Sequence, residues 1–390
     1  MKSEAQTRLR EFRAPDESGA ERRAWGVVRA AYLDRQPSLA RRSRWRLAVA
    51  PAVAVIVAAL ALSPAGASVR RLITNALGEK HAARALFALP SPGRILVSGP
   101  GGTWIANADG STRRLGSWSQ ASWSPHGLFV AVASGTRLAA VDPLGNVRWA
   151  LARPAVSDPR WYSPSGYRVA YLSAGALRVV TGHGTDDRLL ATGVAHVAPA
   201  WRPGQVLGPY ELAYATARGR VVARDGDTGR ILWSTRSAIR PRELMWSADG
   251  RRLLLLSASA ARIYTANGRL LAKLALPAGA PASDGALSPN GRTLALVLGG
   301  RQVVVADARQ SHPALRQVLG VGGVQQLSWS PDGRWLLVSL PGANQWVFVR
   351  AAGAPRVEAV SRIAEQFSNR GARGFPQLEG WCCTAQGQAG

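Results

Sequence analysis

From residue 88 to about residue 350 the apolar positions fall into short alternating runs, cut at regular distances by Gly, Pro, Asn and Asp. Alternation with a period of two predicts strands with one buried face, and the punctuation predicts turns between them. One phrase recurs: a bulky apolar residue, then Ser-Pro-x-Gly or a worn version of it, then an alternating run. Seven copies read LPSPGRILV from Leu89, WSPHGLFVAV from Trp123, WYSPSGYRVAYL from Trp161, WRPGQVLGPYELAYA from Trp201, WSADGRRLLLL from Trp246, LSPNGRTLALV from Leu287 and WSPDGRWLLVSL from Trp329. Aligned on Ser91, Ser124, Ser163, Arg202, Ser247, Ser288 and Ser330, they are 33, 39, 39, 45, 41 and 42 residues apart. A strand-rich period near forty predicts a β-propeller.

The chemistry of one copy explains the turn. Pro331 presets φ, Asp332 can bond to neighbouring backbone, and Gly333 accepts the positive φ that other residues avoid. Strand runs follow at 334–339, 345–349 and 356–360, giving four strands per unit with the run before the turn. Asp109-Gly110, Asn267-Gly268 and Asp227-Thr228-Gly229 mark hairpins between the last two strands of their units. Trp123, Trp161, Trp201, Trp246 and Trp329 hold one place in the repeat, where a large flat side chain fills the space between blades, so they read as packing residues. The first unit lacks its opening strand. The segment 375–381 can supply it and close a ring of seven blades; six blades with an N-terminal extension is the alternative.

The W-S-P-D-G-[KR]-x-[LI] phrase resembles the repeat of TolB-like and WD-repeat-like β-propellers over about two thirds of the chain. No Gly-His or Trp-Asp recurs at a fixed place, which moves the resemblance towards the bacterial TolB-like group. That resemblance implies a binding scaffold or an accessory protein of the cell envelope, and it names no ligand.

Upstream of the repeats the pattern changes. Residues 1–46 carry twelve Lys or Arg against six Asp or Glu and include a helical stretch at 21–33 with Trp25, Val28 and Leu33 near one face. Arg41, Arg42, Arg44 and Arg46 then precede residues 47–69, an uncharged stretch of twenty-three. That length spans a bilayer, and the arginines before it place the N-terminus in the cytoplasm and the repeats outside. A cleavage site at Ala65-Gly66-Ala67 is the competing reading. The expected organisation is a basic cytoplasmic segment at 1–46, a single transmembrane helix at 47–69, a stalk at 70–87, an all-β propeller of four-stranded blades at 88–381 and a tail at 382–390.

Composition adds charge without a site. The 49 basic residues against 23 acidic ones give a formal charge of +26, which draws the protein towards anionic lipid or envelope polymer. Nucleic acid fits poorly, because the basic residues are dispersed. Cys382 and Cys383 are adjacent and cannot form a disulfide framework; they can pair with each other or between chains. The histidines, His81, His126, His183, His196 and His312, are scattered, so no metal or cofactor is expected. No G-x-S-x-G elbow, phosphate-binding loop or dinucleotide fingerprint is present, and Asp142, Asp225 and Asp307 sit where turns need them. No catalytic, cofactor, metal or ligand-binding residue is assigned. The expectation is a non-catalytic, single-pass membrane protein whose extracytoplasmic propeller binds a protein or anionic envelope polymer. Two alternatives stand beside it: a transmembrane regulator with an anti-sigma-like layout, its N-terminal helix docking a cytoplasmic partner, and an accessory subunit of an envelope enzyme or transport complex.

Overall fold

The structure of the chain, a computed structural model, describes residues 88–204, 209–237, 239–351, 356–369 and 374–383. The described strands form seven antiparallel sheets of four. Blade one contains β1 (Arg94–Gly99), β2 (Gly102–Ala106) and β3 (Thr112–Gly116); blade two β4 (Gln120–Trp123), β5 (Val130–Ser134), β6 (Arg137–Val141) and β7 (Val147–Ala152). Blade three has β8 (Val156–Trp161), β9 (Arg168–Ser173), β10 (Ala176–Thr181) and β11 (Arg188–Thr192), and blade four β12 (Ala200–Trp201), β13 (Glu211–Ala215), β14 (Arg220–Asp225) and β15 (Ile231–Arg236). Blade five has β16 (Glu243–Trp246), β17 (Arg252–Leu256), β18 (Ala260–Thr265) and β19 (Leu270–Ala275), and blade six β20 (Ala282–Leu287), β21 (Thr293–Leu298), β22 (Gln302–Asp307) and β23 (Arg316–Gly320). Blade seven has β24 (Leu327–Trp329), β25 (Trp335–Leu340), β26 (Gln345–Arg350) and β27 (Val357–Ser361).

The chain then passes through α1 (Ile363–Gln366), which buries Ile363 and brings Phe367 against Trp104 and Trp346. It returns as β28 (Gln377–Cys382), which pairs antiparallel with β1 and completes blade one in the order β28-β1-β2-β3. The first strands β28, β4, β8, β12, β16, β20 and β24 touch in succession and close into a ring. Seven blades therefore replace the six-bladed alternative: the first copy of the phrase is a true repeat, and its missing strand comes from the other end of the sequence. The boundary expected after residue 381 falls one residue inside β28.

The hydrophobic alternation is used between blades. Val297 and Val305 of blade six pack with Leu336 and Val347 of blade seven, and Ile95 and Trp381 of blade one pack with Trp346 and Phe348. Trp123, Trp161, Trp201, Trp246 and Trp329 are all buried. Three of them also tie blades together: Trp201 Nε1 donates to Arg160 O at 2.9 Å, Trp246 Nε1 to Ala200 O at 3.1 Å and Trp329 Nε1 to Ala286 O at 3.1 Å.

In blades five to seven the repeated turn is held mainly by its serine. In blade seven Ser330 Oγ donates to Asp332 Oδ1 at 2.5 Å and accepts the Trp335 N–H at 2.9 Å, while Asp332 accepts the Arg334 N–H at 3.0 Å. Ser247 with Asp249, and Ser288 with Asn290, repeat this arrangement. The hydroxyls are buried, and Gly250, Gly291 and Gly333 take φ values of 65°, 66° and 68°. Copy five keeps the geometry with Ala248 in the proline place, so across blades five to seven the bonded hydroxyl, not the ring, is the common element.

Among the described residues no helix is long and apolar enough to cross a membrane. The helix expected at 21–33 and the span at 47–69 lie outside the described residues.

Candidate functional site

Seven first strands line the central channel; in six of them the side chain three residues before the aligned Trp or Leu turns towards it, and in β28 Glu379, at a register shift, takes that place. In most blades that residue is polar, and it accepts a hydrogen bond from the backbone of the next blade's first strand. Gln120 Oε1 accepts Asp158 N–H at 2.7 Å, Asp284 Oδ2 accepts Leu327 N–H at 2.7 Å, and Gln326 Oε1 accepts Leu378 N–H at 2.9 Å. Glu243 accepts from Gly285, and Glu379 in β28 accepts from Ala121. These five side chains join blades two to three, five to six, six to seven, seven to one and one to two. The two missing links flank blade four. There Pro199 has no N–H to donate and Ala198 has no acceptor. At the gap, Asp158 Oδ2 is buried without a hydrogen-bond partner among the described residues, and lies 3.8 Å from Nδ1 of the exposed His196.

The channel is thus acidic inside a cationic protein. Burial pushes Asp284 up to about 7, against the opposing pull of the Leu327 and Gly285 N–H groups. Burial also pushes Glu243 well above the usual carboxylate range; the charge of Asp284 adds to this, and Arg160 opposes it. Glu379 is pushed up to about 7 by burial, with Arg160, the Ser98 hydroxyl and the Ala121 N–H opposing. All three keep part of their surface open to the channel. Their shift reflects a narrow polar passage walled by strands, not a dry core. The arrangement locks blades together and gathers carboxyl groups that hold protons well above the usual carboxylate range, with the Arg160 guanidinium already acting on Glu243 and Glu379. Among the described residues no three His, Cys, Asp or Glu side chains stand close enough to hold a metal ion.

A second candidate lies on the rim formed by the Ser-Pro-x-Gly turns and the hairpins between third and fourth strands. All nine exposed large apolar side chains among the described residues lie on this rim, and six belong to blades two and three: Leu128, Phe129, Leu144, Val147, Tyr167 and Leu189. Leu144 and Leu128 are 63% and 62% exposed. The two blades abut here. A Cβ on Gly166 would lie 3.4 Å from Pro125, and one on Gly184 would collide with Trp149 at 2.7 Å. Beside this patch Cys382 and Cys383 are joined as a disulfide, with Cys383 Sγ 3.5 Å from Pro125 O.

The acidic residues that the sequence assigned to turns do that work: Asp142 accepts the N–H groups of Leu144 and Asn146, Asp225 that of Asp227, and Asp307 that of Arg309. His126 and His183 lie exposed in turns, His196 stands at the channel gap and His312 is exposed beyond β22, so these four stand apart, and His81 lies outside the described residues. The channel ring escaped the sequence reading. A signal existed in QASW, ELMW, DGAL and QLSW, where a polar residue stands three before the aligned Trp or Leu.

No protein-family model matches the chain, and no curated protein matches it. Among solved structures it is similar to the β-propeller domain of Cps50 (Swd1) from Myceliophteria thermophila, with a TM-score of 0.58 and 15% identity, covering 70% of this chain and 97% of that one. It is also similar to KlHsv2 with loop 6CD replaced by a Gly-Ser linker, with a TM-score of 0.53 and 13% identity, covering 75% and 95%. At such identities the likeness shows the propeller fold alone.

Proposed function

We propose that this protein is a non-catalytic binding scaffold, anchored in a membrane by residues 47–69, whose propeller docks a protein partner on the turn rim of blades two and three. The observation that carries this reading is the concentration of exposed apolar side chains: six of nine fall on two of seven blades. Scattered apolar residues are ordinary on any surface, whereas a contiguous patch on adjoining elements is characteristic of an interface. The anchor rests on the length and lack of charge of 47–69, and the extracytoplasmic side on the arginines that precede it.

The test is site-specific photo-cross-linking in the cell. A photoreactive residue at Leu144 or Tyr167 is expected to trap the same partner, and one at Thr192, exposed on the opposite rim of blade three, is expected to trap little of it. Equal yields from both rims would sink the docking face. A topology reporter fused after the propeller that is active only in the cytoplasm would sink the extracytoplasmic placement separately.

A further inference from the structure

Blade four carries an arginine cluster that neither the turns nor the ion pairs account for. Arg220, at the start of β14, and Arg236, at the end of β15, are directly opposite in the antiparallel register. Opposite side chains leave the sheet on the same face with Cβ atoms about 5 Å apart, where like charges repel and lower stability. The adjoining loops add more of the same charge. Arg218 sits in the turn closed by the Gly219 N–H bond to Thr216 O, and Arg240 and Arg242 lie in the segment leading to β16. The two loops are tied by the Ser237 N–H, which donates to Gly219 O at 2.9 Å. All five arginines are exposed.

None of the five has a carboxylate within ion-pair distance among the described residues. The described arginine pairs go elsewhere, to Arg148, Arg153, Arg168, Arg178, Arg188, Arg202, Arg309 and Arg356. The Arg220 guanidinium donates to Ser234 Oγ, a neutral partner, and Arg242 Nη1 reaches Ala282 O at 3.5 Å. The surrounding fold therefore leaves these guanidinium groups, each able to fork two bonds onto a carboxylate, without an anion.

We propose that this cluster, on the rim opposite the apolar patch, docks an acidic segment of a protein partner, a run of Asp or Glu that lies across the two loops. The proposal rests on the scaffold reading and gives it a second contact of defined chemistry. A bilayer is disfavoured because every exposed large apolar side chain among the described residues lies on the other rim, leaving none of them here to insert. Single-stranded nucleic acid is disfavoured because Phe129 and Tyr167, the only exposed Phe, Tyr or Trp side chains among the described residues, also lie on that other rim, which leaves the exposed His196 as the one ring near the arginines among the described residues.

The experiment uses the full chain in detergent and a fluorescent deca-glutamate peptide, read by anisotropy at low salt. R218Q/R220Q/R236Q is expected to weaken binding about fivefold or more, since a few exposed charge-assisted contacts are lost together. R251Q/R292Q/R334Q, which removes the same charge from the turn rim, is expected to change it less than about twofold. Equal losses from both triples would mean that net charge alone attracts the peptide, and would overturn the proposal. So would a cluster triple that loses inorganic polyphosphate or phosphatidylglycerol vesicles but keeps the peptide. R236Q alone is expected to leave the melting temperature equal or higher; a marked fall would assign the cluster a structural role instead. Cross-linking at Leu144 reports on the apolar face independently, so its failure with peptide binding intact would fault the scaffold face and spare this site.

Discussion

At the residue scale the repeated turn of blades five to seven depends on a buried hydroxyl. Ser330 Oγ both donates to Asp332 and accepts from the Trp335 N–H, so Ser330→Ala leaves a buried donor without a partner. Such an orphan costs about 1–3 kcal/mol. Pro331→Ala removes a conformational preference worth about 1 kcal/mol or less together with the contact of a half-buried ring edge against Gly93, and copy five already lacks the ring at Ala248. Urea midpoints are expected to fall in that order, with the serine variant clearly the less stable; the reverse order would show that the proline ring holds the turn. Trp, Pro and Gly were legible in the phrase as scaffold. The serine was not, because its role depends on a hydroxyl being enclosed, and enclosure is a property of packed blades.

At the scale of elements, the decisive event is the pairing of β28 with β1. It brings the C-terminal segment into blade one, buries Trp381 against Phe348 with ring centroids 5.6 Å apart, and places Leu378 and Trp381 where Gln326 and Ser328 of blade seven accept their N–H groups. Arg94 reinforces the closure by donating to Gly127 O at 2.5 Å while lying 4.8 Å over the Trp123 ring. A chain ending at residue 374 leaves β1 as an open edge and unseals the ring. It is expected to lose cooperative thermal unfolding, and a peptide of residues 375–390 supplied in trans is expected to restore it. A cooperative transition retained by the truncated chain would show that the remaining strands close the propeller without β28.

At the scale of the whole molecule the blades create a channel lined by carboxyl groups that burial holds in the protonated form to higher pH. Asp284 and Glu379 hold their protons to about pH 7 when folded, whereas an unfolded carboxyl releases its proton near pH 4. Between those values the folded state binds more protons, so stability falls as pH rises from about 4 through 7. The turn carboxylates, such as Asp142 and Asp307, are shifted the other way, and their contribution is complete above the unfolded value, so they add no slope in this window. Asp284→Asn keeps an oxygen for the Leu327 N–H and removes the charge. Its melting temperature is expected to match the parent near pH 5 and to exceed it by about 2–4 °C near pH 8, as a difference of about 1 kcal/mol would produce. An unchanged pH slope would show that Asp284 is already well solvated.

The sequence by itself determined the repeat, its period, the strand and turn order and the packing role of the tryptophans, because alternation and turn chemistry are local and each copy states them again. It also carried the expectation of an uncharged span before the propeller. Only the tertiary structure decided that seven blades close, that Gln120, Glu243, Asp284, Gln326 and Glu379 meet around one axis, and that Arg220 faces Arg236. The physical reason is separation. These residues are remote in sequence, and their hydrogen bonds, shared burial and mutual repulsion exist only once neighbouring sheets are brought within a few ångströms of one another.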